Sequence, residues 1–219
     1  MPETLKIDIH NEEIFRDQLV KIKRVLNLGG VIAFPTDTFY GLGANPFHEE
    51  AVAGIFKIKH RLADKALPVL VRSIHQVKHL ASEITQVSEI LMENFWPGPL
   101  TLVLKALPHL PPSLTANTGK IGVRQPGNDI TQKLLSGIGF PLTATSANIS
   151  GSGNIMTAQR VRAVLGSQVD LLIDGGITPG GKPSTILDTT LTPPLVIREG
   201  AVSKERIESV TGVRCLTMT

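Results

Sequence analysis

"VIAFPTDTFYGLGANP", running from Val31 to Pro46, decides the fold class. Its first four residues are apolar and read as a short buried strand. Pro35 ends that strand, because proline has no N–H to give to a sheet ladder. The residues beyond it are too rich in Gly and Pro for regular structure and read as a loop at the strand's end. Upstream, Asn11 is a candidate N-cap with Glu12 and Glu13 in a favourable first turn. Phe15, Leu19, Ile22 and Leu26 then recur at helical spacing until Gly29-Gly30.

The same alternation continues downstream. Ala51, Val52, Ile55 and Phe56 mark a helix with Lys59 and Arg61 near its end, and "LPVLV" is the next strand. Helices are expected over Ile74–Leu80 and Glu83–Asn94, before "FWPGP" breaks the chain ahead of the strand "LTLVL". Further strands are read at "IGVR", "PLTAT", "DLLID", "STILD" and "PLVIR", with helices near Ile130–Leu135, Val161–Leu165 and Lys204–Val210. Several strands follow one another without a helix, so the expected class is α/β (α+β mixed): a twisted mixed sheet with helices on its faces. The Pro-rich "ALPHLPPSLTANTGK" is the best boundary candidate, yet neither side closes a core alone, and residues 1–219 are expected as one domain.

Composition narrows the function classes. A formal charge of +3, from 22 Lys and Arg against 19 Asp and Glu, is too weak to argue nucleic-acid binding by itself. The single cysteine, Cys215, excludes an internal disulfide and any cysteine-held zinc. No apolar run approaches the ~20 residues of a membrane span, and acidic residues stand where a signal peptide would carry its apolar core. A cytoplasmic setting is therefore expected, and the sequon Asn148-Ile149-Ser150 reads as chance.

Familiar motifs fail. "GITPGGKPS" spaces Gly176, Gly181 and Lys182 like a P-loop, but Pro183 takes the place of the Ser or Thr and a strand follows where a helix is required. "GLGANP" and "GSGNIM" lack the final glycine of a dinucleotide fingerprint, and no histidines have metal-ligand spacing. What remains is a set of polar residues at strand ends: Thr36, Asp37 and Thr38; Arg124; Ser146 and Asn148; Ser184 and Thr185; Arg198. With Lys59 and Arg61, this inventory suits a ligand carrying phosphates and a carboxylate. Each residue also has a plainer reading. The threonines serve equally as turn hydroxyls, and Lys59 and Arg61 taken alone read as solvated charges favouring a helix dipole. Arg124 and Arg198 could pair with Asp129 and Glu199, and Tyr40 and Trp96 read as packing.

These residues resemble the YrdC-like family, the threonylcarbamoyl-AMP synthases. "FPTDTFYGLGANPF" is similar to its Pro-Thr-(Glu/Asp)-Thr-x-Tyr-Gly-Leu-Gly segment, "KIKHR" to its K-x-R, and "FWPGPLTLVL" to its Trp-Pro-Gly-Pro-Leu-Thr. "IGVRQP", "TSANISG", "DGG", "STILD" and "IREGA" come next in the family's order, and the likeness extends from about Ile14 to Ala201. The resemblance implies a YrdC/RibB-like mixed α/β fold with a large concave basic cleft, in the single-domain form. It implies a nucleotidyltransferase that makes L-threonylcarbamoyladenylate and pyrophosphate from ATP, L-threonine and bicarbonate or CO2, with Mg²⁺ accompanying the ATP. That product serves N6-threonylcarbamoyl modification of adenosine 37 in tRNA, through downstream threonylcarbamoyl-transferase proteins. Binding of tRNA or double-stranded RNA is a further family association, and an RNA-binding relative without synthase activity is the alternative.

By the same resemblance, Thr36, Arg124 and Ser184 contact threonine, and Lys59, Ser146, Asn154 and Arg198 contact the nucleotide. Lys59, Arg61, Ser146 and Asn148 form the K-x-R and S-x-N tetrad, and no residue is assigned as a metal ligand. Two departures stand out: His60 where Gly is common, and Leu62 where Pro often comes next, which loosens the Lys59–Arg61 loop.

Overall fold

A computed structural model describes residues 3–60 and 65–218. β1 (Glu3–Lys6) and α1 (Glu12–Asn27) lead into β2 (Ile32–Phe34), β3 (Gly41–Gly43) and α2 (Glu49–Ile58). β4 (Val69–Leu70), a 3-10 turn at Ile74–His79 and β5 (Ala81–Glu83) precede α3 (Gln86–Phe95). β6 (Leu100–Ala106), the single-turn α4 (Pro112–Thr115), β7 (Lys120–Arg124) and α5 (Asp129–Ile138) come after it. Next are β8 (Leu142–Thr143), β9 (Thr145–Ser146) and α6 (Ala158–Leu165). Last are β10 (Leu171–Asp174), β11 (Thr185–Asp188), β12 (Leu195–Arg198), α7 (Lys204–Thr211) and β13 (Leu216–Thr217). Most helices start where a side chain can accept an orphan N–H: Asn11, Thr85, Asn128, Thr157 and Ser203 each cap one. No helix among the described residues is long and apolar enough to cross a membrane.

The strands form two mixed sheets rather than the one sheet expected from the sequence. The five-stranded sheet has the order β1-β10-β2-β3-β9. The eight-stranded sheet has the order β13-β12-β11-β6-β7-β4-β8, with β5 paired to β6. Helices cover both faces of the smaller sheet, and its strand sequences show why. Ile32, Phe34, Leu171 and Ile173 point into one cluster, with Ile22 and Leu26 of α1 and Leu134 and Leu135 of α5. Ala33 and Leu172, one residue out of phase, point into the larger core with α2 and α6. A strand buried on both faces needs apolar residues at every position, hence the unbroken "VIAF" and "LLI".

The loop expected after "VIAF" is only half a loop. Residues 35–40 are irregular, but Gly41–Gly43 returns antiparallel to β2, pairing Ile32 with Gly43 and Phe34 with Gly41. "PLTAT" likewise divides at Ala144: Thr143 lies in the larger sheet and Thr145 in the smaller. The sheets meet at this seam, where the Ala44 N–H donates to Thr143 Oγ1 at 2.8 Å. Gly43 is required there, since an added Cβ would come within 2.7 Å of Phe34 Cε1 and 2.8 Å of the Thr143 carbonyl oxygen. "GITPGGKPS" carries no helix and connects β10 to β11, with Gly176, Gly180 and Gly181 at positive φ.

Candidate active site

A cavity of about 520 Å³ opens at the seam, lined on one side by Gly41, Thr145 and Ser146 of the smaller sheet. The larger sheet supplies Leu70, Thr101, Arg124, Ile186 and Arg198. Thr36, Lys59, Asn148, Asn154 and Ser184 also line it, so one cavity gathers every described residue that the resemblance assigns to the site, whereas Asp37 and Thr185 of the strand-end set are not on its lining. Arg61 and Leu62 lie outside the described residues. Lys65, not anticipated, adds a fourth cation beside Lys59, Arg124 and Arg198.

At the α2 end, Lys59 is not the solvated charge that its position near a helix terminus implied; it is 3% exposed. Its Nζ donates to the Ser146 carbonyl at 2.6 Å and to the Asn148 carbonyl and Oδ1 at 2.9 Å each. Burying an ammonium is tolerable only with such acceptors around it. Ser146 Oγ donates to Asn148 Oδ1 at 2.6 Å, and Asn148 Nδ2 donates to the Ser152 carbonyl at 2.6 Å. The Lys59 carbonyl in turn accepts from Ser150 N–H at 3.1 Å. The stretch Ser146–Gly153 is thus folded around Lys59, and exposed Asn154 comes directly after it on the cavity lining.

The larger sheet holds the other end. Arg124 closes β7 and pairs with Asp37 instead of Asp129; the two side chains are 8% and 14% exposed. Its Nε donates to the Gly98 carbonyl at 2.9 Å. This explains "FWPGP": Trp96 Nε1 anchors the turn on the Leu100 carbonyl at 2.7 Å, and the turn presents Gly98 to Arg124. Arg198 engages Ser184 instead of Glu199, through Nε at 3.1 Å and Nη2 at 2.8 Å to the carbonyl oxygen and Nη2 at 3.2 Å to Oγ. Burial first, then the neighbouring Arg124 charge, lowers the Arg198 pKa from its ordinary value.

Thr36 combines both readings offered for it. It lines the cavity, yet its hydroxyl donates to the Phe39 carbonyl at 2.7 Å and accepts from Thr38 N–H at 3.2 Å. Tyr40, read as packing, is fully buried but also makes polar contacts. Its hydroxyl donates to the Gly176 carbonyl at 2.8 Å and accepts from Gly175 N–H at 3.2 Å, tying β3 to the "DGG" turn. Burial pushes its pKa up to about 12. Asp37 and Gly98 are the supports that a motif reading names without assigning a task; only the paired geometry reveals it.

Fold and cavity define a class: a mixed α/β protein with a cation-lined pocket at the junction of two sheets. The chain belongs to the Sua5/YciO/YrdC family, whose model, described as "Telomere recombination", matches residues 24–200. It is 42% identical to the threonylcarbamoyl-AMP synthase of Pyrococcus abyssi over 184 residues, 84% of this chain and 54% of that protein. It is 36% identical to the threonylcarbamoyl-AMP synthase of Bacillus subtilis over 208 residues, 94% of this chain and 60% of that one. The chain therefore spans a little over half the length of these two relatives. The crystal structure of P. abyssi Sua5 complexed with L-threonine matches with a TM-score of 0.89 at 36% identity, covering 98% of this chain and 62% of that chain.

Proposed function

We propose that this chain makes L-threonylcarbamoyladenylate, joining L-threonine, CO2 or bicarbonate, and ATP with release of pyrophosphate. The threonine amine captures CO2 as a carbamate, losing a proton. A carbamate oxygen then attacks the α-phosphorus, and the bond to pyrophosphate breaks. Attacker and target are both anionic, so the work required is charge neutralisation, alignment and exclusion of water.

The observation that carries this reading is one cavity furnished from two sheets. Arg124, Ser184 and Arg198 come with the larger sheet, and Ser146 comes from the smaller with Lys59 and Asn148 folded around it. In the proposal, Arg124 takes the amino-acid carboxylate with Thr36 and Ser184 beside it. Lys59, Ser146, Asn154 and Arg198 take the nucleotide, and Asn148 and Arg61 complete the phosphate end. Arg198 touches Ser184, so the residues assigned to the two substrates are in contact, as adjacent reacting groups require. The cavity volume lies in the range of small-molecule sites, roughly 300–1,000 Å³.

Among the described residues no cluster of His, Cys, Asp or Glu is arranged to hold a metal. In the proposal Mg²⁺ enters on the triphosphate as part of the substrate, with Lys59 and Arg61 neutralising the leaving pyrophosphate alongside it. The product is an activated acyl-adenylate, suited to a transferase acting on tRNA adenosine. The deciding experiment is pyrophosphate release from ATP with and without L-threonine and bicarbonate. Strict dependence on both is expected; release indifferent to threonine would sink the proposal, and no release under any condition would favour an RNA-binding relative.

A further inference from the structure

The Asp37–Arg124 pair raises a question that the proposed reaction leaves open. An arginine meant for a carboxylate is already bonded to one, and both side chains are almost fully buried. Arg124 lines the cavity, whereas Asp37 is not among the lining residues. Asp37 sits in the 35–40 connection, which the smaller sheet contributes, and reaches across to β7 of the larger sheet. The guanidinium is thus held by Asp37 at Nη2 and by the Gly98 carbonyl at Nε, 2.9 Å away. A planar fork bonded at two of its nitrogens has its plane set, and its remaining donors keep one direction.

We propose that Asp37 is a positioning and charge-balancing residue: it fixes the Arg124 fork and cancels its charge, so that this end of the cavity selects a zwitterionic amino acid over a polyanion. The inference rests on the reading of Arg124 as the carboxylate-binding residue. Its logic is electrostatic. Arg198 stands near enough to feel the Arg124 charge. An uncompensated Arg124 beside Arg198 would extend the phosphate-attracting charge into the amino-acid end. With Asp37 in place, Arg124 remains a geometric donor to a carboxylate, while the pair as a whole carries little net charge. Attraction for phosphates at the amino-acid end is then weakened, and the cavity's other cations, among them Lys65 and Arg198, draw them elsewhere.

The test uses the full chain and the variants Asp37→Asn and Asp37→Glu, with folding checked by circular dichroism. The first readout is the Arg124 Nε–H signal in a ¹⁵N spectrum, assigned through Arg124→Lys. It should lose protection from exchange in Asp37→Asn and keep it in Asp37→Glu. The second readout is kinetic. Asp37→Asn should raise the threonine KM at least tenfold with the ATP KM within about twofold, and should make inorganic pyrophosphate a stronger competitor against threonine. Asp37→Glu should fall between, with a three- to tenfold rise, and it carries the test alone if Asp37→Asn does not fold. An Arg124 signal unchanged by Asp37→Asn, or threonine and ATP KM values rising in parallel, overturns the proposal. Failure of the synthase reading looks different: the wild type would release no threonine-dependent pyrophosphate, while the spectrum still reports whether Asp37 orients Arg124.

Discussion

Lys59 and Asn148 are joined twice: the ammonium donates to both the backbone carbonyl and the side-chain oxygen of Asn148, each at 2.9 Å. A residue at the end of α2 therefore organises a turn 89 positions along the chain. Lys59→Ala should lose both the cation and the turn's shape. The expected result is a loss of at least a hundredfold in kcat/KM and about 2 kcal/mol in stability, the scale of buried charged hydrogen bonds. Lys59→Arg should not rescue activity, because oxygens of Ser146 and Asn148 set around a compact ammonium do not match a planar fork. Rescue by arginine would show that charge alone matters there.

Arg124→Ala should raise the threonine KM strongly and leave the ATP KM nearly unchanged. It also leaves the Asp37 carboxylate buried and unpaired, so a stability loss of about 3 kcal/mol is expected in denaturant unfolding. An unaltered threonine KM in a folded variant would remove the carboxylate role.

Gly98→Ala reaches the same site indirectly. An added Cβ would lie 2.4 Å from the Phe95 carbonyl oxygen, so the turn must move, and with it the carbonyl that holds Arg124 Nε. A loss of about 1–3 kcal/mol is expected from the overpacking, with a threonine KM rising in the same direction as in Arg124→Ala. Calorimetry of threonine binding reads the second effect apart from the first.

His60 has a φ of 50°, a left-handed conformation that costs an L-residue roughly 1–2 kcal/mol. This is the physical reason for the glycine expected between the Lys and Arg of the motif. His60→Gly should hold or raise the unfolding midpoint, the relief of strain being partly offset by about 0.5–1 kcal/mol of added chain entropy. His60→Val should lower it clearly; equal midpoints for the two variants would contradict the strain.

Tyr40 supplies a pH dependence. Its folded pKa of about 12 lies above the ordinary value of about 10, so the protonated form is favoured by folding. The associated stability is whole below pH ~10 and is lost as pH rises towards 12, up to about 2–3 kcal/mol for two units. Tyr40→Phe should be less stable near neutrality, having lost the bonds to Gly175 and Gly176, yet flatter between pH 10 and 12. An alkaline slope identical to wild type would exclude Tyr40 as its source.

Local chemistry made several of these features legible. The cap at Asn11, the helical spacing of Ile22 and Leu26, and the apolar runs of β2 and β10 all act within a few residues of themselves. The polar residues at strand ends could be gathered in words before any geometry was known. Pairing could not be read the same way. Gly41–Gly43 is a strand only because Phe34 and Ser146 lie on either side of it, more than one hundred positions apart for the latter. Lys59 looks solvent-bound by its helix position and is buried because a distant turn wraps it. Arg124 and Arg198 had plausible acidic neighbours in sequence and bonded elsewhere, since side-chain partners are chosen by the sheets and not by the chain.

The division of "PLTAT" at Ala144 makes that residue a caliper. Thr143 belongs to one jaw and Thr145 to the other, and at this point the step between the two sheets is one residue wide along the chain. Inserting a single residue there would slide Ser146 by about 3.3 Å and turn its hydroxyl to the opposite face of β9. A change of one residue in length at Ala144 would therefore alter how the two walls of the cavity face each other.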